Sequence, residues 1–111
     1  MMNVKQIAFD IAFAEKRSPL VYEKLTDEEL IVKIKTLAPG SSSEVCLDAI
    51  TKVRKLCDDV YEICNAYRDG DFGKDDAAAR TAITELSKKS PGFSKTEYDT
   101  AFTTGLLWTA F

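Results

Sequence analysis

The chain has 111 residues, of which 45% are hydrophobic and 30% are charged, and its formal net charge is −3. This size and composition are typical of a folded water-soluble protein, and we predict a single helical domain over residues 1–111. The small acidic surplus argues against a nucleic-acid-binding protein, which normally carries a basic surplus. The sequence has no histidine, so the commonest general base and metal ligand are both absent.

The first half of the chain predicts two helices and a shorter helical segment. Apolar residues at helical spacing begin at Val4, and a short helical turn is predicted around 20–25. Thr26, followed three residues later by Glu29, predicts the start of the next helix through a capping box. Pro39 and the glycine after it end that helix, and Ser43 is predicted to cap the following one.

The longest helix is predicted over 44–68, where no glycine or proline interrupts the pattern. Its apolar residues recur at alternating spacings of three and four, which places them on one face. They are Cys46, Ala49, Val53, Leu56, Val60, Ile63 and Tyr67. The stripe indicates a central helix against which the others pack.

The last third of the chain predicts two more helices. One begins at Asp75 or Asp76, and the other is capped by Ser94 with Glu97 three residues later. The segment 100–111 has no charged residue, which suggests that both faces of the last helix are covered. No segment alternates as a half-buried strand does. The sequence therefore predicts an all-α fold, a compact bundle of about five helices around the long helix.

The residue types that usually act in catalysis or bind metals do not form a recognisable site in this sequence. Cys46, Cys57 and Cys64 fall on one stripe of the long helix, which is typical of buried packing in a reducing compartment. The aspartates near residue 70 do not match a calcium-binding loop, because Lys74 and Arg80 occupy positions that require Gly and Glu. We expect no catalytic residues, no metal, no cofactor and no enzymatic activity.

Charge is unevenly distributed along the chain. Residues 58–76 include seven acidic residues and only two basic residues, Arg68 and Lys74, which gives a local net charge of −5. This stretch is either a solvated surface or an interface for a basic partner, with two aromatic residues as anchors. The predicted partner-binding residues are Asp58, Asp59, Tyr61, Glu62, Asp69, Asp71, Phe72, Asp75 and Asp76.

Three hypotheses for function follow. The first is a small acidic protein that neutralises or regulates a protein partner, most concretely a bacterial immunity or antitoxin protein that binds a basic toxin such as a nuclease. The second is a self-associating structural or regulatory protein, a homodimer through the uncharged C-terminal helix. The third is a thiol switch or an enzyme that uses the cysteines. The sequence shows neither a signal-peptide pattern nor a membrane-spanning run, so we expect a cytoplasmic protein with neither a membrane nor a nucleic acid as partner.

Overall fold

The computed structural model of the chain describes residues 3–13 and 25–110. Five helices are present in these ranges, and no β-strand is. They are α1 (Val4–Phe13), α2 (Asp27–Leu37), α3 (Ser43–Arg68), α4 (Ala78–Lys89) and α5 (Lys95–Trp108). The predicted all-α fold of about five helices with a long helix near the middle of the chain is confirmed. The helical turn predicted around 20–25 falls almost entirely outside the described residues.

The chain divides into two compact units, Met1–Lys55 and Leu56–Phe111, and the boundary falls inside α3. Each unit has its own set of buried apolar side chains and is described below by itself. The prediction of a single domain stays a prediction.

In the first unit, α1 and α2 pack against one another. Helix α1 buries five of its ten residues, and the rings of Phe9 and Phe13 stack with centroids 4.5 Å apart. Helix α2 contributes the fully buried Leu30 and Ile34. This arrangement follows from the apolar spacing of three and four residues, which collects these side chains on one face of each helix.

The start of α2 shows the predicted capping box. The amide of Glu29 donates to the hydroxyl of Thr26, and the amide of Thr26 donates to the carboxylate of Glu29. Asp27, in the first turn, is paired with Arg54. The start of α3 differs by one residue from the prediction, because Ser43 is already helical and the hydroxyl of Ser42 accepts from the amide of Val45.

In the second unit, α4 and α5 pack against one another. Leu86 of α4 and Ala101 of α5 are fully buried, as are Leu56 and Val60 of α3. The second predicted capping box, of Ser94 and Glu97, is also present. The predicted start of α4 is two to three residues early, since Asp75 and Asp76 belong to the preceding turn and Ala78 is the first helical residue.

Candidate partner-binding surface

The acidic residues of the last three turns of α3 differ in what they contact. Asp58 and Glu62 are exposed, whereas Asp59 is only partly exposed. Helical spacing places Asp58, Glu62 and Asp69, the first residue after the helix, within about 40° of one another around the axis. These three carboxylates therefore share one face of α3, and Asp59 lies beside it.

Two of the predicted binding residues on α3 hold the end of α4. Glu62 accepts from the ammonium of Lys89 at 2.7 Å, and the Oδ2 atom of Asp59 accepts from the hydroxyl of Ser90 at 2.6 Å. The hydrogen bond from Lys89 to Glu62 is the main cause that raises the pKa of Lys89; desolvation opposes it, and the negative charges of Glu62, Asp59 and Glu85 add to the upward shift. Glu62 is thus paired with a cation of its own unit, and one carboxylate oxygen of Asp59 is occupied by a hydroxyl of the same unit.

Ser90 is the centre of a short buried network. Its side chain is 3% exposed, and its carbonyl accepts from the hydroxyl of Tyr98 at 2.6 Å. The same tyrosine oxygen accepts from the amide of Phe93, and the rings of Phe93 and Tyr98 meet edge to face. These hydrogen bonds connect the end of α4 to the start of α5.

Tyr61, predicted as an anchor residue, stacks on a residue of its own unit. Its ring centroid lies 5.4 Å from that of Trp108, with 30° between the ring planes. Trp108 is 4% exposed, while Tyr61 remains partly exposed. One side of the tyrosine ring therefore contributes to packing between α3 and α5, and only the remaining part is accessible.

The loop after α3 is rich in exposed acidic residues. Helix α3 ends in a Schellman motif, in which the amide of Asp71 donates to the carbonyl of Ala66 and the amide of Gly70 to that of Tyr67. Gly70 adopts a φ of +84°, a left-handed conformation that glycine accepts at little cost. The motif turns the chain sharply and leaves four aspartate side chains exposed: Asp69, Asp71, Asp75 and Asp76.

Within this loop, Phe72 and Asp75 have partly structural roles. Phe72 is partly buried, so its ring is not fully presented to solvent. The Oδ1 atom of Asp75 accepts from the amide of Ala77 at 3.1 Å, which organises the turn before α4. An open cavity of about 370 Å³ lies beside the loop, lined among others by Arg68, Lys74 and Asp75.

Arg68, one of the two cations of the acidic stretch, is directed toward α5. Its guanidinium donates to the carbonyl of Leu106 and to the hydroxyl of Thr109, the latter at 3.0 Å. These contacts satisfy groups at the C-terminal end of α5, where the last carbonyls of a helix have no helical partner. The guanidinium of Arg68 is therefore bound at the C-terminal end of α5.

The three cysteines lie in the interior, and burial disfavours the thiolate of Cys64. All three are buried free thiols. Burial raises the pKa of Cys64 from 9.0 to about 11, and the positive charge of Arg68 acts in the opposite direction. The Sγ atom of Cys64 lies 3.5 Å from the carbonyl oxygen of Phe102. Within residues 3–13 and 25–110, no group of three His, Cys, Asp or Glu side chains is placed to hold a metal ion.

The structure assigns residues to two further surfaces that the sequence did not define residue by residue. One is a stripe on α5, where Thr96, Thr100, Thr103 and Leu107 are exposed. Within this chain the stripe is exposed, so the prediction that a second copy covers this face of the helix stays a prediction. The other is a cleft in the first unit, lined by Leu37, Val45 and nine further residues.

Comparisons with models of protein families, with curated proteins and with solved structures find no match to this chain. None of the described helices is long and apolar enough to cross a membrane. The function must therefore be inferred from the chemistry of the surfaces themselves.

Proposed function

We propose that this protein acts by binding, and that it neutralises or regulates a basic protein partner through the acidic surface of its second unit. The most concrete form is a cytoplasmic bacterial immunity or antitoxin protein that binds a basic toxin such as a nuclease. The single observation that carries the proposal is the set of exposed carboxylates formed by Asp58 on α3 and the loop aspartates Asp69, Asp71 and Asp76.

Charge supports this choice of surface. Residues 56–111 contain ten acidic and six basic residues, whereas residues 1–55 contain eight acidic and nine basic residues. The acidic surplus of the chain is thus confined to the unit that carries the loop. Complementary charge accelerates association with a basic protein and selects against acidic ones.

The internal contacts refine which residues we assign to binding. Asp59 and Glu62 are engaged by Ser90 and Lys89, and Asp75 organises its own turn. Asp58, Asp69, Asp71 and Asp76 are therefore the principal charged contacts of the proposed interface, with Phe72 and the accessible part of Tyr61 as its apolar contacts.

The test is a comparison of two triple variants with equal charge. Asp69→Asn/Asp71→Asn/Asp76→Asn removes three charges from the proposed surface, and Glu28→Gln/Glu44→Gln/Asp48→Asn removes three exposed charges from the first unit. Affinity capture from the native host, followed by mass spectrometry, identifies the partner. We expect the wild type and the control variant to capture the same basic protein. The surface variant should fail to capture it.

Association kinetics with that partner then measure the electrostatic contribution. We expect the surface variant to associate about tenfold more slowly at low salt, with a smaller difference at high salt because ions screen exposed charges. Equal association rates for the surface variant and the control would refute the acidic-surface proposal.

The exposed stripe on α5 favours a second candidate, self-association. Thr96, Thr100, Thr103 and Leu107 form an uncharged helix face, and Leu107 is 44% exposed. A homodimer through this face would be recognised by sedimentation at micromolar concentration and lost in Thr103→Lys/Leu107→Lys. A monomer under these conditions would exclude it.

A further inference from the structure

The second unit contains an open groove of about 420 Å³ between α4 and α5 that the proposed function does not use. On α4 the lining residues follow a spacing of three and four, which places them on one side of the helix. They are Arg80, Ile83, Thr84 and Ser87. The first turns of α5 contribute Lys95, Tyr98 and Asp99. The volume falls within the range of about 300–1,000 Å³ that is usual for small-molecule sites.

Two of these residues give the groove an apolar wall. Ile83 is partly buried and Tyr98 is 7% exposed. The hydroxyl of Tyr98 donates to the carbonyl of Ser90 and accepts from the amide of Phe93, so the ring is anchored by the turn before α5. The groove therefore offers a preformed apolar surface to a ring or a short hydrocarbon chain.

The hydroxyl groups of the groove have already donated their hydrogens. The hydroxyl of Thr84 donates to the carbonyl of Arg80 at 2.9 Å, and that of Ser87 donates to the carbonyl of Thr84 at 2.7 Å. The hydroxyl of Tyr98 donates to Ser90. Because a hydroxyl has a single hydrogen, all three can only accept from a ligand. The side-chain donors left for a ligand are the two cations, Arg80 and Lys95.

These two cations differ in what they contact. The ammonium of Lys95 lies 3.4 Å from the carboxylate of Asp99, which balances its charge. In the part of the chain that the structure describes, the guanidinium of Arg80 has no ion pair or hydrogen bond, not even with Asp76 one helical turn earlier. The groove thus carries one uncompensated positive charge. It belongs to the side chain whose planar fork of N–H groups matches the two oxygens of a carboxylate.

We propose that this groove binds a small organic molecule that carries one carboxylate on an apolar body. The carboxylate accepts from the guanidinium of Arg80, and the apolar body lies against Ile83 and the ring of Tyr98. None of the residues assigned to the basic partner lines the groove. The site is therefore independent of the acidic surface, and a failure of either proposal leaves the other standing.

The test is a titration of the isotope-labelled full-length chain, followed by the chemical shifts of its backbone amides. The probes are butyrate, hexanoate, benzoate and naphthoate, each compared with its neutral amide. We expect the acids to shift the amides of the lining residues and to bind about fivefold more tightly than the matched neutral compounds. Affinity should also rise with the size of the apolar body, because a larger body buries more apolar area.

A pair of variants then assigns the charge. Arg80→Gln should weaken binding of the acids about fivefold and leave binding of the neutral amides nearly unchanged. Lys88→Gln, which removes an exposed charge of the same helix outside the groove, is the control and should change neither. The proposal is overturned if no acid of the panel shifts the lining residues, if acids and amides bind equally, or if both variants behave alike. Affinity that does not depend on the apolar body also overturns it, because that result leaves only an ion pair at the surface.

Discussion

The backbone of Gly105 on α5 lies directly against Val60 on α3. A Cβ atom at position 105 would come within 2.2 Å of Cγ1 of Val60 and within 2.7 Å of Sγ of Cys64. Both distances are far shorter than van der Waals contact, so glycine permits the close approach of the two helices. The side chain of valine is stiff on a helix and cannot easily turn away.

We expect Gly105→Ala to destabilise the protein by about 1–3 kcal/mol, the usual cost of overpacking a core. This loss outweighs the gain of up to about 1 kcal/mol that alanine brings to a helix. Urea unfolding measures the difference. The exposed substitution Thr103→Ala on the same helix is the control and should change stability by less than about 0.5 kcal/mol.

The contact between Gly105 and Val60 can also be tested by shortening the side chain of Val60. In a Val60→Ala background, Gly105→Ala should cost clearly less than it does in the wild type, because the clashing methyl group is gone. An equal cost in both backgrounds would show that the contact with Val60 is not the cause.

We expect Ser90→Ala to lower stability by about 1–2 kcal/mol, since hydrogen bonds to charged groups contribute about 1.5–3 kcal/mol and Asp59 keeps some access to water. A double-mutant cycle with Asp59→Ala measures the pairing directly and should give a coupling of about 1 kcal/mol. Additive effects of the two changes would contradict the hydrogen bond. Asp58→Asn, which alters an exposed neighbour, should be nearly neutral for stability.

Both capping boxes should stabilise their helices by similar amounts. Thr26→Ala and Ser94→Ala are each expected to cost about 1 kcal/mol, because the amide at the third helical position loses its acceptor. Thr100→Ala, which places the same alanine in an exposed helix interior, should be neutral or slightly stabilising. Thermal unfolding followed by circular dichroism provides the comparison, and equal effects of cap and interior changes would contradict the assignment.

The thiols should react slowly in the folded protein. With all three buried and the pKa of Cys64 raised to about 11, a disulfide reagent at pH 8 should modify the native protein far more slowly than the urea-unfolded chain. Rapid modification of one native thiol would instead support the hypothesis of a thiol switch.

The pKa of Cys64 also predicts a dependence of stability on pH. The unfolded thiol loses its proton near pH 9, whereas the folded thiol keeps it up to about pH 11. The unfolded state therefore binds fewer protons in this range, and stability should fall as the pH rises from about 9 toward 11. Urea midpoints at pH 8 and 10 should decrease less in Cys64→Ala than in the wild type.

Local sequence determined where most helices begin and end. Helix starts and stops depend on contacts within one helical turn: a capping residue, its partner three positions later, and a glycine or proline after the last turn. The roles of Thr26, Ser94 and Pro39 could therefore be predicted without tertiary information. Spacing of three and four residues likewise indicated which face of α3 is buried, including all three cysteines. The start of α4 was misplaced because Asp75 organises a turn, a role for which aspartate is as well suited as for a helix start.

The predicted binding surface depended on information that local sequence does not contain. From the sequence, the seven carboxylates between residues 58 and 76 could not be distinguished. In the structure, Glu62 is bound by Lys89 and Asp59 by Ser90, each some thirty residues away along the chain. The stacking of Tyr61 on Trp108 joins residues that lie still further apart along the chain. Sequence alone therefore determined helix positions and the unequal distribution of charge. Only the tertiary structure decided which charged and apolar groups remain accessible, because accessibility depends on which distant helix packs against each side chain.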